Sequence, residues 1–576
     1  MKTRTVRLGT EKTPGATRIT RRDFLKIGGT GLAGATLLGT AGCGSIFGGE
    51  QGGTGGGGGG SKSITINLED SIRDLDSTTT TDEVSFNVLV NSNEGLHRLD
   101  ENDQPVPGQA EDVQISEDGL TYTFTLRDGI QWSNGDPVTS NDFKYAWLKA
   151  LDPDTGSQYA YIVGQFIKGG NAFNAGPTTD DNQQQHDQLR DAVGIETPDD
   201  KTLEVTLEAP APFWVGLTAF PTYLPQNQGF VEEQGDQYAQ NADSLLYNGP
   251  YSLTDLNPTQ GVTFVKRDDY WDADNVDIQR AETTIVRELE TAVNLHEQGQ
   301  LDITEISEEY VNEYRDSPAL DQRTEFATFY LGFNEKVSIF QNQNVRKAFQ
   351  MGFDRGALVN EILNDGSVSA TGIVPPGIQG PGNQTFREAE GPTMPDFDPQ
   401  EARRLYEQGL QEVGEEAPTI ELLSYDDTDA RDTATFLQSQ FEDNLGAKIE
   451  VKIQPFDRKL ELEANSEFQF SFQGWGADYN DPMTFLDLWE SESSFNTGGY
   501  ENARYDQLID QAQAEADPAR RMDMMMEAER ILIEEDAGVA PMFFAGVTRL
   551  IEPSIKDFVY HNYGGALDLK VYRIQS

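Results

Sequence analysis

The chain has 576 residues, and its 97 acidic residues outnumber its 43 basic residues, which gives a formal net charge of −54 at pH 7. This length is too great for one hydrophobic core and predicts two or three domains. The negative charge disfavours binding of nucleic acid, which needs a basic surface, and also disfavours direct adsorption to anionic lipid. It indicates either a binding surface for cationic ligands or a generally acidic, hydrated surface like those of proteins in high salt. The spread of acidic residues along the whole chain favours the second.

Residues that commonly bind metals or carry nucleophilic catalysis are few. Cys43 is the single cysteine, which excludes an intramolecular disulfide and a cysteine metal cluster. The four histidines are scattered without ligand spacing: His97, His186, His296 and His561. The Gly-x-x-x-x-Gly-Lys phosphate loop, the Gly-x-Ser-x-Gly elbow and the His-Glu-x-x-His helix are absent from the sequence. We therefore expect no metal, no cofactor and no enzymatic activity.

The N-terminus carries an export pattern. Thr20 to Lys26 reads Thr-Arg-Arg-Asp-Phe-Leu-Lys, and a mild apolar run rich in Gly and Ala follows over 27–42. The pair Arg21 and Arg22 ahead of such a run is typical of a twin-arginine signal, and the run is too short and too Gly-rich for a membrane span. We interpret residues 1–42 as this signal.

The signal ends in Thr40-Ala-Gly-Cys43, which is similar to a lipoprotein box. Thr40 stands where bacterial boxes usually have Leu, and Leu38 lies two residues early, but the lone cysteine falls at the expected place. Residues 43–61 include six consecutive glycines and predict a flexible tether. Hence we expect the folded body to be anchored to the outer face of the cell membrane through a lipid on Cys43.

The first dense structural signal lies at residues 115–143. It contains Glu-Asp-Gly and Asp-Gly turns, a strand from Leu120 to Leu126 and a short strand at Ile130–Trp132. Thr139-Ser140 then caps a helix that runs through Phe143, Trp147 and Leu151. We expect Trp132, Trp147 and Trp271 to belong to the core rather than to a ligand site.

The second half reads as α/β. A strand at Glu421–Tyr425, a helix from Asp429 to Leu445 ended by Gly446, and a returning strand at Lys448–Ile453 predict a right-handed βαβ unit. Further helices are predicted at 398–410, 502–516 and 520–534. The methionines of the last helix fit core filling rather than a cofactor box: Met522, Met524, Met525 and Met526.

A candidate binding loop follows a predicted strand at Glu467–Phe472. It reads Gln473-Gly-Trp-Gly-Ala-Asp-Tyr-Asn-Asp-Pro482, with Asp478 just past the strand end between Trp475 and Tyr479. Ligands usually bind at strand ends in α/β sheets, and a carboxylate walled by aromatic rings suits a cationic group. The alternative is a polar loop whose aspartate caps the helix that starts at Pro482. The residues alone leave both interpretations open.

An ordered set of motifs now resembles a known family. The run 116–143 contains Ser-Glu-Asp-Gly, Thr-Phe-Thr-Leu-Arg-Asp-Gly-Ile-Gln-Trp-Ser-Asn-Gly-Asp-Pro-Val-Thr and Asp-Phe. Later segments extend the pattern over roughly five hundred residues: 202–207, 248–251, 267–272, 344–355, 371–376, 475–480 and 536–542. Together they are similar to the oligopeptide- and dipeptide-binding proteins of ABC importers, the peptide-type solute-binding proteins of family 5.

The resemblance implies an α/β fold, namely a two-lobe periplasmic-binding-protein-like fold of type II with an extra inserted small domain. Lobe I is then expected at 62–100, 225–325 and 545–576, the inserted small domain at 101–224, and lobe II at 326–544. It also implies ligand capture in the cleft between the lobes, where closure removes water and strengthens charge-assisted bonds.

Site residues follow from the same resemblance. The family's Trp-x-Ala-Asp-Tyr-Asn motif falls on 475–480, which makes Asp478 the partner of the peptide's α-ammonium and places Trp475, Ala477 and Tyr479 beside it. Other positions expected near the ligand are Phe456 as an aromatic wall, and Glu94 and Asn248 as weaker carry-overs.

One departure from the family concerns the peptide's carboxyl end. Enterobacterial receptors of this family place basic residues before the tryptophan, and those positions fall on Glu463 and Phe472 here. A C-terminal anchor is therefore absent or comes from elsewhere, with Arg431 and Lys459 as candidates. Longer or basic peptides, or a ligand other than a standard tripeptide, fit this departure.

The resemblance implies a monomeric receptor that delivers oligopeptides to ABC permease subunits and meets the membrane through its N-terminal lipid. Three alternatives stay open. The same fold serves other solutes, such as an oligosaccharide or chelated nickel, and peptide sensing uses the same recognition chemistry as transport. An exported hydrolase is the third, although the catalytic motifs named above are missing.

Overall fold

The computed structural model describes residues 62–68, 70–416 and 418–575. The predicted export signal with Arg21 and Arg22, the lipidation position Cys43 and the Gly-rich tether lie outside the described residues. Within the described part, none of the helices combines the length and apolar character that crossing a bilayer requires.

The strands are given in chain order. They are β1 Ser63–Leu68, β2 His97–Leu99, β3 Pro105–Pro107, β4 Ala110–Ile115, β5 Thr121–Leu126, β6 Ile195–Asp199, β7 Thr202–Thr206, β8 Tyr251–Asn257, β9 Gly261–Lys266, β10 Arg280–Ile285, β11 Ile303–Glu305, β12 Leu320–Phe333, β13 Val368–Ser369, β14 Thr419–Tyr425, β15 Lys448–Gln454, β16 Phe470–Gly476, β17 Val539–Ile551, β18 Ile555–Lys556 and β19 Arg573–Ile574.

The α-helices span Glu83–Ser92, Ser140–Leu151, Ala160–Gly164, Gly170–Asn174, Thr179–Asp191, Trp214–Leu217, Gln228–Gln234, Leu289–Glu297, Glu308–Tyr314, Ser338–Gln341, Gln343–Met351, Arg355–Ala357, Phe386–Glu390, Pro399–Val413, Thr428–Leu445, Phe456–Ala464, Met483–Leu486, Ala503–Ala514 and Pro518–Arg530. Two π-helical turns, Leu358–Leu363 and Ile531–Glu535, continue two of them. Short 3-10 turns occur at Pro221–Tyr223, Gly235–Gln237, Ala242–Ser244, Ala273–Asn275 and Asp487–Trp489.

One mixed sheet runs through the described chain. Its strand order is β15-β14-β16-β12-β17-β11-β1-β10-β9-β8, and β13 pairs with β17 beside this path. Strands β1 and β8 to β11 all precede residue 306, whereas β14, β15 and β16 all follow residue 418. The long strands β12 and β17 lie between the two groups and join them.

The pairing of β12 with β17 shifts its register where the two groups meet. The strands pair from Leu320 with Leu550 to Gly332 with Val539, but the ladder is irregular between Thr324 and Thr328. Such a bulge bends a strand and leaves backbone groups outside the ladder. One of the register shifts of this ladder therefore lies at the crossing between the two halves of the sheet.

The segment expected as the inserted small domain contains a separate sheet of order β4-β5-β7-β6. Its helix Ser140–Leu151 starts as predicted, with a capping box between Thr139 and Asp142. Trp132 and Trp147 are buried, as expected, and Trp147 packs edge-on to Trp214. The short strand predicted at Ile130–Trp132 is wrong: a single bridge from Gln131 to Pro137 closes the turn instead.

The predicted βαβ unit is confirmed. Strands β14 and β15 pair in parallel from Thr419 with Lys448 to Tyr425 with Gln454, and the helix Thr428–Leu445 connects them. Gly446 ends this helix in the left-handed conformation at φ 74°. Met522 and Met525 are buried and Met524 and Met526 pack partly buried against the same core, which confirms their expected core role.

Gly546 generates a stability prediction, because it lies on β17 opposite Thr324 at the register shift. A Cβ there would lie 2.0 Å from the carbonyl carbon of Gly366. We expect Gly546→Ala to lower the free energy of unfolding by about 1–3 kcal/mol, since backbone has to move. Gly229→Ala is the control, because Gly229 is exposed and its nearest atom would lie 3.6 Å away. Denaturant midpoints measure both changes, and equal midpoints would contradict the prediction.

Candidate functional site

Strand β16 carries the candidate binding loop, although its limits differ from those predicted. The strand runs from Phe470 to Gly476 rather than over 467–472. It starts late because the backbone N–H of Glu467 still donates to the carbonyl of Leu462, at the end of the preceding helix, at 2.7 Å. Trp475 therefore lies within the strand, and Asp478 lies two residues after the strand ends at Gly476.

One edge of β16 lacks a neighbouring strand over most of its length. On one side β12 pairs with it along the whole strand, from Phe333 with Phe470 to Ala327 with Gly476. On the other side β14 pairs with it only at Phe470 and Ser471. No strand of the described chain pairs with that edge over 472–476. This stretch of backbone, close to Asp478, therefore has a strand partner on one side only.

Aromatic rings surround the loop. Trp475 is buried and packs edge-on to Phe495, with ring centroids 5.1 Å apart. Tyr479 is buried and stacks on Phe213 at 4.2 Å with nearly parallel rings, and Phe166 meets its edge at 5.9 Å. Phe213 and Phe166 belong to the segment expected as the inserted domain. The loop therefore packs against a different part of the chain from the one that carries it.

Asp481, three residues beyond Asp478, bonds the turn to the start of the next helix. The Oδ1 of Asp481 accepts a hydrogen bond from the Met483 N–H at 2.9 Å, at the start of the next helix. Asp481 also receives two hydrogen bonds from Arg521, at 2.6 and 2.9 Å. Asp478 is half-buried, and its own N–H donates to Thr484 Oγ1 at 3.2 Å. Asp481 therefore holds the start of this helix, and the role of Asp478 as the ammonium partner stays a prediction.

Two backbone contacts hold the loop in place. Ala477 N–H donates to the carbonyl of Phe326 at 2.7 Å, and Phe326 lies within the irregular stretch of β12. Two residues beyond Asp478, the side-chain amide of Asn480 donates to the carbonyl of Asp103 at 3.4 Å. The candidate loop is therefore bonded directly to the crossing between the two halves of the sheet.

Phe456 lies on the same half of the sheet as Asp478. It starts the helix Phe456–Ala464, is half-buried and packs edge-on to Tyr425 at 5.3 Å. The nearby candidate for a carboxylate anchor, Lys459, is buried and lies 3.0 Å from Glu463. Arg431, the other candidate, is exposed and donates to the carbonyl of Asp426.

Glu94 and Asn248 form a buried pair. Asn248 accepts from the Glu94 N–H at 3.0 Å and donates to the Glu94 carbonyl at 2.9 Å. The Glu94 carboxylate accepts from Gln109 at 2.6 Å, from Trp271 at 2.7 Å and from the Tyr270 hydroxyl. Because these donors come from separate segments of the chain, the Glu94 carboxylate links the segments together. Whether Glu94 and Asn248 also contact a ligand stays a prediction.

Trp271 packs partly buried against two hydrophobic clusters, which agrees with its expected place in the core. It is half-buried, its indole N–H donates to Glu94, and the guanidinium of Arg127 lies 3.9 Å above its ring. Its polar edge and its ring face are thus both used in this network.

A chain of buried charges connects the Glu94 region to the candidate loop. Arg98 lies 3.5 Å from Glu94 and 2.5 Å from Asp568. His561 lies 3.6 Å from Asp568 and 2.9 Å from the Oδ1 of Asp103, whose carbonyl accepts from Asn480. Burial lowers the pKa of His561, but its hydrogen bonds to the two carboxylates outweigh burial and raise the pKa to about 9.

Asp103 was missed by sequence reasoning. It is buried, its backbone adopts φ 57°, and its carboxylate also accepts from the Asn562 side chain at 2.6 Å. Aspartate tolerates the left-handed conformation better than most residues. That tolerance is the one local feature of the sequence that singles out Asp103. The sequence near position 103 does not indicate that the partners of Asp103 lie more than 370 residues away.

An acidic cavity of 580 Å³ lies beside Phe495, the ring that packs on Trp475. Five carboxylates line it, on Asp487, Glu490, Glu492, Asp506 and Asp510. Burial, together with the charges of Asp510 and Asp506, raises the pKa of Glu490 to about 7. The cavity disfavours anions and attracts cationic groups.

Comparison with known proteins places this geometry in context. Residues 104–497 match the model of the bacterial extracellular solute-binding proteins, family 5. The chain is 33% identical over 510 residues to the dipeptide-binding protein DppE of Bacillus subtilis, covering 88% of this chain and 91% of that protein. It is 32% identical over 530 residues to the oligopeptide-binding protein OppA of the same organism, covering 89% and 94%.

Solved structures agree with this. The substrate-binding domain of an oligopeptide ABC transporter from Bacillus anthracis is 35% identical, with a TM-score of 0.72 over 90% of this chain and 99% of that one. Listeria monocytogenes OppA bound to peptide is 33% identical, with a TM-score of 0.70 over 90% of this chain and 100% of that one. These likenesses confirm the two-lobe α/β fold that the resemblance implied.

The buried histidine generates a prediction about pH. Because the folded-state pKa of His561 is above its ordinary value of 6.5, its stabilising contribution is complete below pH 6.5 and is lost as the pH rises through about 9. We expect the free energy of unfolding to fall across this window by on the order of 3 kcal/mol more in the natural chain than in His561→Gln. Denaturant unfolding at pH 6.5 and pH 9 measures the difference.

His296→Gln is the matched control, because His296 contacts the carbonyl of Leu301 rather than a carboxylate. It should keep the pH dependence of the natural chain. An undiminished fall in His561→Gln would show that another group is responsible.

Proposed function

Because the chain belongs to the bacterial extracellular solute-binding proteins of family 5, we propose that it captures oligopeptides between its lobes and delivers them to the permease of an ABC importer. The observation that supports this proposal best is the open edge of β16 over 472–476, which ends two residues before Asp478. The dipeptide- and oligopeptide-binding relatives support it.

The recognition chemistry follows from what all peptides share, a backbone and an N-terminal ammonium. The backbone of 472–476 pairs with the bound peptide as an added strand, which requires no particular side chain in the ligand. Asp478, at the end of this strand, accepts a charge-assisted hydrogen bond from the ammonium. Trp475 and Tyr479, both buried, keep water away from this bond and thereby strengthen it.

The opposite end of the ligand is held less strictly. Glu463 and Phe472 stand where the enterobacterial receptors have basic residues, and the charge of Lys459 is already directed to Glu463 at 3.0 Å. A site of this kind fixes one end of a peptide and accepts several lengths. The acidic cavity beside Phe495 favours ligands with a basic side chain.

The N-terminal residues supply the location in this proposal. Arg21 and Arg22 direct folded export, Cys43 carries the lipid, and the glycine run before residue 62 lets the monomeric body reach the permease. The protein acts by binding and release and carries out no chemistry on its ligand.

Asp478→Asn tests the ammonium contact. We expect a free-amine pentapeptide with a central lysine to lose about 2–5 kcal/mol of binding free energy, because the ammonium is then buried without its charged partner. Isothermal titration calorimetry on ligand-stripped protein measures the loss. The N-acetylated form of the same peptide should bind the natural chain weakly and should bind Asp478→Asn no more weakly.

Asp523→Asn is the control, because Asp523 is exposed on the helix Pro518–Arg530 and its replacement makes the same change in charge. It should bind the peptide as the natural chain does. Equal discrimination between the two peptides by the natural chain and Asp478→Asn would remove Asp478 from the proposed role. If the purified protein carries a glycan or chelated nickel and no peptide, that solute rather than peptide is the ligand class.

Cys43→Ser tests the anchor. A serine cannot carry the thioether-linked lipid, so we expect the variant to appear in the medium after export, whereas the natural chain stays with the membrane fraction. Immunoblots of both fractions measure the distribution. Membrane retention of Cys43→Ser equal to that of the natural chain would contradict lipid anchoring and leave the ligand proposal untouched.

A further inference from the structure

A group of metal-binding side chains lies on the inserted segment, away from the candidate loop. Asp152 ends the helix Ser140–Leu151, and Asp154 lies in the turn that follows it. His186 lies on the helix Thr179–Asp191 and is buried. One oxygen from each aspartate and one nitrogen from His186 all lie within 4.8 Å of one another.

The spacing of these atoms fits ligands of one small cation. His186 Nε2 lies 3.2 Å from Asp152 Oδ1. Two ligands that each lie about 2.1 Å from a tetrahedral zinc ion are themselves about 3.4 Å apart. Asp154 is exposed, so an ion can enter from solvent, and Thr179 fixes that carboxylate through its N–H at 3.1 Å and its hydroxyl at 2.6 Å.

The surroundings of His186 supply the independent observation. Its Nδ1 lies 3.4 Å from the carboxylate of Asp187, and its buried ring packs edge-on to Phe173 at 5.2 Å. When Nδ1–H is directed to Asp187, the lone pair of Nε2 faces the carboxylate of Asp152. Two acceptors this close require a cation between them, which is a proton or a metal ion. A carboxylate behind the distal nitrogen is the usual arrangement around a metal-binding histidine.

We propose that Asp152, Asp154 and His186 bind one divalent transition-metal ion, with zinc as the best fit and water in the remaining position. The mixed set of one imidazole nitrogen and two carboxylate oxygens favours zinc over calcium or magnesium, which take oxygen ligands. The bound ion joins the turn at 152–154 to the helix Thr179–Asp191 and thereby stabilises the inserted segment. This site is independent of peptide capture.

The test is calorimetric titration of zinc into the chelator-treated full chain in excess magnesium, which occupies oxygen-only acidic sites. We expect saturable binding of one zinc ion, and a rise in melting temperature with zinc concentration. His186→Gln and Asp154→Asn should each weaken zinc binding by about tenfold or more, because each removes a ligand. Cobalt in place of zinc should give visible absorption bands that His186→Gln loses.

Asp191→Asn is the matched control, because Asp191 lies on the same helix, is 71% exposed and pairs with Arg190. It should bind zinc as the natural chain does. Asp154→Asn decides the matter if His186→Gln fails to fold, since Asp154 is exposed. Two results would overturn the proposal. One is an absence of saturable zinc binding in excess magnesium, which would show that the cation between His186 and Asp152 is a proton. The other is a zinc affinity of Asp154→Asn equal to that of the natural chain. Peptide affinity should be the same in Asp154→Asn and the natural chain.

Discussion

The pairing of β12 with β17 is the constraint on which the remaining structure depends. These two antiparallel strands contribute to both groups of strands in the main sheet, so neither group is positioned without them. Their ladder is irregular between Thr324 and Thr328, and the carbonyl of Phe326 in that stretch accepts from Ala477. A change in the angle between the halves therefore acts on the loop that carries Asp478. Domain closure in two-lobe proteins is commonly absorbed by a few residues of this kind.

The buried charges form a second connection between the halves. Asp103 forms hydrogen bonds with His561 and Asn562 near the end of the chain and with Asn480 of the candidate loop. A hydrogen bond to a charged group that is removed from water is strong when both partners are present and costly when one is lost. The position of Asn480, and with it that of Asp478, thus depends on the buried charges around Asp103.

Local patterns predicted local structure well. The helix Ser140–Leu151 and the β14-helix-β15 unit follow from caps, a terminal glycine and hydrophobic period, all of which act within a few residues. The start of β16 escaped prediction because the N–H of Glu467 remains bonded to the preceding helix, which its alternating sequence does not reveal. Asp103 and the cluster at Asp152, Asp154 and His186 escaped for a different reason. Their partners come together only through the tertiary fold, so spacing along the chain carries no trace of them.

The open edge of β16 has a consequence for solubility. A strand edge with unsatisfied backbone groups is a template for pairing with any extended chain, and on an outer surface it promotes association of one molecule with the next. Here Trp475, within the unpaired stretch 472–476, is only 6% exposed, and Tyr479 is covered by Phe213 from another part of the chain. The burial of these rings keeps this edge away from the outer surface, which disfavours association of molecules through it.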